Sequence, residues 1–435
     1  MDAQGAGRAS DRVPHPTPRN HADSRRACLM RYVIIGQGVA GVNAARSLAQ
    51  VRSNDDEIHI YTDEQYLYYP RPRLPAFLAG EITLDELILY PAEWYEKRGI
   101  QVHLGQTVTA VDPRARNITL ADGRRVEYDR LLLANGSRPN VPPIKGADKK
   151  GVFTLRTIAN ALEIQAFART VERAVVIGGG LLGLEAARAV SALGPKVTVV
   201  EFFERLLPRQ LDFEGAQVLQ REMERFGLTI ITGAATEEIL GDGAVRGIRL
   251  KDGREIPGEM VLISAGIRPN TELAAAAGIQ VQRGVVVDNA MRTSAEDIWA
   301  AGDVAEFEGR IWGIVTAATE QARVAAANMA APAGETPATY VDIIPSNTLK
   351  VVGIDLTSIG LVNPEGDGYE EVRRVDEAAG RYEKLVLKDG RIVGAILLGN
   401  KDKVRPVTEA ITRKIDVSAH KEALLDDAFD WNSLL

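Results

Sequence analysis

An α/β chain of two nested domains of one design, followed by an α+β domain with an antiparallel sheet, is the fold this sequence predicts. Three observations carry that reading. A glycine loop occurs twice between an apolar strand and an Ala-rich helix, in RYVIIGQGVAGVNAARSLA from Arg31 and in AVVIGGGLLGLEAARAVSALG from Ala174. A strand and turn also occurs twice, LLLANGSRPN at 131–140 and VLISAGIRPN at 261–270, preceded by ADGRRVEYDR and KDGREIPGEM. Finally, KLVLKDGRIVGAILLGN at 384–400 sets a Lys-Asp-Gly-Arg turn between two apolar runs, which is a hairpin signal.

Each glycine loop has the form G-x-G-x-x-G, at Gly36, Gly38 and Gly41 and again at Gly178, Gly180 and Gly183. A second strand follows each, EIHIYTDE at 57–64 and KVTVVE at 196–201. That context turns a weak motif into a Rossmann-like dinucleotide-binding fingerprint. The first glycine permits the tight turn, the second lets backbone approach a pyrophosphate, and the third lets helix and strand pack closely. The free N–H groups of the helix start, here around Val39 and Ala40 and around Leu181 and Leu182, then face negative charge. In the second domain Glu201 ends the second strand, where a carboxylate binds a ribose 2′-hydroxyl and repels a 2′-phosphate, so NADH is expected over NADPH. In the first domain Asp63 and Glu64 are the matching candidates for a ribose.

The loops repeat at an offset of 142 residues and the turns at 130, so each loop owns one turn downstream. The repeat therefore marks two related domains. We expect residues 30–141 and 272–335 to form the first, 142–271 an inserted second, and 336–435 the C-terminal domain with helices at 402–414 and 420–428.

Composition narrows the function. The chain has 435 residues, 26% charged and 45% apolar, with a net charge of −7, which argues against a nucleic-acid binder. No apolar run approaches the roughly eighteen residues of a membrane-spanning helix. Residues 1–29 are poor in large apolar side chains and read as a disordered leader containing the one cysteine, Cys28. A lone cysteine suits a reducing compartment, and a cytoplasmic location is expected. No metal site is expected.

Together with TSAEDIWAAGDVAEF at 293–307, the paired loops and turns resemble the flavoprotein reductases of the pyridine-nucleotide–disulfide oxidoreductase class over about residues 31–415. The resemblance implies FAD on the first loop and NAD(H) on the second. It implies that Asp303 holds ribityl hydroxyls, that Val108, Asn135 and Gly136 line the FAD site, and that Gly266 lines the NAD site. It sets Glu185 near the nicotinamide, and Thr316 at a helix start beside the flavin, with Trp312 either flanking the ring or in the core. The stretch 69–105 is similar to NADH:rubredoxin oxidoreductases, which implies that Arg71 reaches the FAD phosphates. The lysine that relatives place after Leu74 is replaced by Pro75 and Ala76, with Arg73 as the alternative cation. The segments 205–234 and 384–400 are similar to the flavin portion of NADH-dependent nitrite reductases.

One cysteine cannot make the dithiol relay of the classical members. The expectation is an enzyme that passes electrons from NADH through FAD to an external protein, with rubredoxin first, then ferredoxin or a reductase subunit. The flavin itself carries the chemistry, and no side chain is expected to be catalytic. An NADH oxidase and a non-enzymatic NADH-binding redox sensor remain alternatives. The basic run Lys401, Lys403, Arg405, Arg413 and Lys414 offers a dock for an acidic carrier, and the C-terminal domain a homodimer contact, with Phe-Asp-Trp at 429–431 facing a partner subunit or the flavin.

Overall fold

The computed structural model describes residues 29–53, 55–332, 335–351 and 353–434. The leader expected at 1–29, with Cys28, lies outside the described residues except for Leu29.

Two five-stranded sheets carry the glycine loops, and both are parallel. The first runs Ile298–Ala300, Arg130–Leu133, Arg31–Ile35, Glu57–Tyr61, Ile100–His103 in space. The second runs Val152–Phe153, Met260–Ile263, Arg173–Ile177, Lys196–Val200, Thr229–Ile231. Their central strands are continuous apolar runs because both faces of a parallel sheet are covered. Val33, Ile34, Val175 and Val176 are wholly buried. Helices Val39–Val51 and Leu181–Ala192 start directly after the loops. Each domain also carries a three-stranded antiparallel meander, Val108–Asp112 to Arg125–Glu127 in the first and Thr236–Leu240 to Glu255–Pro257 in the second.

The echoed turns meet each other. Ser137–Pro139 pairs antiparallel with Ile267–Pro269, placing Arg138 opposite Arg268. The bonds around them are reciprocal. Asn140 N–H donates to Gly266 O at 2.9 Å, and Asn270 N–H to Gly136 O at 3.0 Å. The Asn135 amide donates to Asn270 O at 2.8 Å, and the Asn270 amide to Asn135 O at 2.9 Å. The second copy of the sequence is thus the partner of the first across the junction between the sheets.

A third, antiparallel sheet follows in the order Ser346–Val351, Ile354–Gly360, Arg391–Leu398, Arg381–Lys388, Tyr369–Asp376. Its expected hairpin closes between Lys388 and Arg391, with Asp389 and Gly390 both at positive φ, as a two-residue hairpin turn requires. This sheet rests on helix Phe213–Arg225. The Tyr382 hydroxyl donates to Asp212 at 2.6 Å, and Lys384 bridges Asp212 at 3.1 Å and Glu371 at 2.7 Å.

Helix Val404–Arg413 forms within the expected 402–414, but 420–428 is not helical; a single 3-10 turn at Ser418–His420 gives way to turns. Leu424 and Leu425 are buried instead in the domain's own core. The Leu425 carbonyl accepts from Lys403 Nζ at 2.5 Å and from Arg374 at 3.0 Å, bonds that compete with a helical ladder. Trp431 joins the same core, edge-on to the half-buried Phe429, while Asp430 between them is exposed.

Candidate functional site

The first glycine loop opens a cleft at the carboxyl end of its sheet. Its wall gathers Gly36, Gly38, Val39, Ala40, Asp63, Glu64, Arg71, Val108, Asn135, Gly136 and Asp303, eleven of the residues expected there. Gly36 turns at φ +104, and a Cβ on it would stand 2.3 Å from Ala134 O. Gly41 lies behind the wall, where a Cβ would meet Gly36 O at 2.0 Å, so it serves the helix–strand contact. Arg71 arches over the loop, its Nη1 only 3.2 Å from where a Gly38 Cβ would be. Glu64 holds it there at 2.6 Å and also accepts from the Tyr69 hydroxyl. Burial, and then the Glu64 charge, push the Tyr69 phenol up, so it stays a donor. Asp63 stands exposed at the rim.

Sequence reading missed Arg156, Gln106, Thr107 and Asn270, which share this wall. Arg156 donates to Asp303 and to Ser137 Oγ, both at 2.9 Å, and its backbone carbonyl accepts from Arg71 Nε at 3.2 Å. Burial, then the neighbouring Arg71, press the Arg156 guanidinium down, while Asp303 opposes them. Arg156 sits in VFTLRT, outside every motif; the one local sign is Thr157 beside it, which caps helix Ile158–Ala168. Two wall residues keep a buried polar atom without a partner among the described residues, Asn135 Oδ1 and Arg156 Nε. A cleft with a tight glycine turn, a cation over it, a carboxylate beyond and unpaired polar atoms fits a phosphorylated diol such as FAD.

The second glycine loop repeats the arrangement. Gly178 turns at φ +118, its hypothetical Cβ 2.2 Å from Ser264 O, and a Gly183 Cβ would meet Gly178 O at 2.0 Å. The cleft above it collects Gly178, Gly180, Leu181, Glu201 and Gly266, together with Phe202, Phe203, Arg209 and Lys251. Glu201 is buried at the strand end, its carboxylate accepting from Gly179 N–H at 2.5 Å and Phe203 N–H at 2.8 Å. Those bonds leave lone pairs on both oxygens for a ribose diol.

Other expected residues are not brought to these walls. Leu182 is exposed and Gly183 packs beneath the loop. Glu185 lies in a separate groove with Pro72, Arg73, Pro75, Ala76 and Arg188, between helix Leu74–Ala79 and helix Leu181–Ala192. This puts Arg73 and Glu185 on one surface, with Pro75 and Ala76 also in the groove lining. Thr316 is exposed on helix Val315–Ala330; the next turn, through Ala318 and Gln321, packs under Gly302 beside Asp303. Trp312 is neither core nor cleft wall, being half-buried with Nε1 donating to Asp342 at 2.8 Å. Of the basic run, Lys403 is buried against Glu383 at 3.1 Å and is no part of a docking face. No group of three or more potential metal ligands occurs among the described residues, and none of their helices is long and apolar enough to cross a membrane.

Residues 30–328 match the family model described as pyridine nucleotide-disulphide oxidoreductase, and 345–415 match the rubredoxin NAD+ reductase C-terminal domain. The chain is 38% identical to a nitrite reductase [NAD(P)H] of Bacillus subtilis over 89% of its own length but 48% of the relative's. It thus spans about half of that protein. It is 32% identical to an NADH-rubredoxin oxidoreductase of Clostridium acetobutylicum over 91% of this chain and 99% of the relative. The fold superimposes on the reductase of a covalent putidaredoxin reductase–putidaredoxin complex with a TM-score of 0.81 at 28% identity, covering 93% and 98% of the two chains.

Proposed function

The chain belongs to the pyridine nucleotide-disulphide oxidoreductase family, and from that premise we propose that it is an FAD-dependent NADH oxidoreductase that delivers electrons to an external protein acceptor such as rubredoxin or ferredoxin. The observation that carries this reading is the pair of clefts joined through the paired turns, in a chain whose single cysteine cannot form a dithiol relay. FAD, when bound, accepts two electrons from NADH and can release them singly.

The protein's own part is to bind and orient. Gly38, Val39 and Ala40 would offer backbone N–H groups to the pyrophosphate, while Gly36, whose own N–H donates to Tyr61 O at 2.8 Å, supplies the turn, and Arg71 would neutralise the phosphates from beside Gly38. Asp303, oriented by Arg156 and Ser137, accepts from the ribityl diol, with Asn135, Gly136 and Val108 completing the wall. Glu64 positions Arg71 more than it binds ribose, which leaves Asp63 at the rim for the sugar. In the second cleft Gly178, Gly180, Leu181 and Gly266 hold NAD(H), and Glu201 favours it over the 2′-phosphorylated form.

The division into 30–141 with 272–335, 142–271 and 336–435 belongs to the same proposal, supported by the chain leaving the first sheet after Leu133 and rejoining it at Ile298. So does a cytoplasmic location, which the lone cysteine suits. Homodimer and monomer are the alternatives that sedimentation separates. A second reading is the flavin portion of a nitrite reductase-like complex, favoured by the half-length match to the Bacillus subtilis relative.

Anaerobic stopped-flow mixing with NADH, followed by rubredoxin, tests the proposal. Rapid flavin bleaching and then rapid rubredoxin reduction are expected. Bleaching with rubredoxin and ferredoxin both inert moves the acceptor to a reductase subunit, and no bleaching refutes the hydride transfer itself.

A further inference from the structure

The second cleft is edged by two phenylalanines that the described residues leave more than half exposed. Phe202 is 65% and Phe203 55% exposed, and their rings stand edge to face with centroids 5.3 Å apart. The backbone beneath them is firmly held. Phe203 N–H donates to Glu201 at 2.8 Å, its carbonyl accepts from Gly233 N–H at 2.8 Å, and Glu201 N–H binds Ile231 O at 2.8 Å. Two adjacent aromatic rings kept in water on a fixed backbone, on a cleft wall, mark a surface that a ligand covers.

Strand order decides which part of a dinucleotide reaches them. The glycine loop follows the central strand Arg173–Ile177. On one side of it, Met260–Ile263 leads to the turn Ile267–Pro269, which pairs with Ser137–Pro139 of the first domain. On the other side, Lys196–Val200 leads to Glu201, Phe202 and Phe203. With the pyrophosphate on the loop, the two halves of the dinucleotide lie on these two sides. The half that gives up hydride must lie toward the first cleft, so the adenosine half lies at Glu201 and the rings.

We propose that Phe202 and Phe203 form an aromatic platform for the adenine of NADH, oriented by the same Glu201 carboxylate that meets the ribose. This rests on the reading of the second cleft as the NADH site. An adenine stacked on aromatic rings contributes enough to change affinity on the order of tenfold or more. The platform therefore lets the chain distinguish NADH from reduced nicotinamide mononucleotide, which lacks the adenosine half, and it acts on binding without touching the reacting atoms.

The test is anaerobic titration of the FAD-loaded protein with NADH and with reduced nicotinamide mononucleotide, in wild type, F202A/F203A and F202W/F203W. Because the rings bury little, the variants should retain FAD and the wild-type Tm. The double alanine variant should raise the Kd for NADH about tenfold or more and leave that for the mononucleotide in place, while the tryptophan pair keeps NADH affinity. Equal shifts for both donors, or no shift for either, would overturn the platform. So would intact NADH affinity with slowed reduction of the protein acceptor, which would give the rings to a protein partner. Failure of NADH to reduce the wild-type flavin would overturn the reading of the cleft, and the platform with it.

Discussion

Gly41→Ala and Gly183→Ala make one chemical change at equivalent places in the two repeats, so they test which loop holds which ligand. In each, the new Cβ lies 2.0 Å from a loop carbonyl, Gly36 O or Gly178 O, where ordinary contact begins at 3.4 Å. Helix and strand must part by about 1.4 Å, the difference of those distances. Overpacking of that kind typically costs about 1–3 kcal/mol, and the displaced loop is the wall that offers its N–H groups to phosphate. The Gly41 variant should therefore purify with little flavin. The Gly183 variant should stay yellow, yet need on the order of tenfold more NADH for half-bleaching, as about 1.4 kcal/mol implies. Flavin absorbance per chain and anaerobic NADH titration are the two assays. A colourless Gly183→Ala protein beside a fully flavinated Gly41→Ala protein would refute the assignment of the loops.

Arg71→Leu removes the cation over Gly38 and leaves Glu64 facing the phosphate. A charge-assisted bond of about 1.5–3 kcal/mol is lost, so FAD should dissociate on dilution roughly ten- to a hundredfold more readily, followed by flavin fluorescence. Arg73→Leu, in the neighbouring groove, should retain FAD. Acid stability offers a further check. Burial raises the Asp212 pKa, but hydrogen bonds from Tyr382, Gly215 N–H and Lys384 outweigh it and the net shift is downward. A carboxyl depressed below its unfolded 3.8 stabilises the fold above that pH and loses its contribution as pH falls through the folded value. Asp212→Asn should be less stable at neutral pH and show a flatter fall in denaturant midpoint below pH 4; an unchanged slope would remove this contact from the acid response.

What could be read from the sequence was what the backbone itself demands. Gly36, Gly41, Gly178 and Gly183 are glycines because a Cβ would collide with carbonyl oxygens, and such demands leave a fixed spacing in the chain. The strand-end carboxylates and the hairpin at 388–391 were legible for the same local reason. Arg156 was not, because its role exists only once strand return brings Asp303 and Ser137 beside it, 147 and 19 residues away in sequence. Glu64 was legible as a carboxylate at the right place, while its use on Arg71 depends on tertiary geometry. At 420–428 the composition favoured a helix, but two distant cations take the Leu425 carbonyl and two buried leucines fix a different path. The rings of Phe202 and Phe203 gave no signal, since a sequence does not show which aromatics remain uncovered.

The duplicated turn explains more than ancestry. Hydride transfer needs donor and acceptor atoms about 3–3.5 Å apart, and here they would be carried by separate sheets. A flexible connection between those sheets would leave that distance to chance. Instead the two copies pair as a short antiparallel ladder, and each exchanges backbone and amide bonds with the other. The junction is also shared with the sites, because Asn270 from the second copy lines the first cleft and Gly266 lines the second. The same residues that end each sheet therefore set the spacing between the clefts. A change such as Asn270→Ala would act on both at once, which neither glycine loop can do alone.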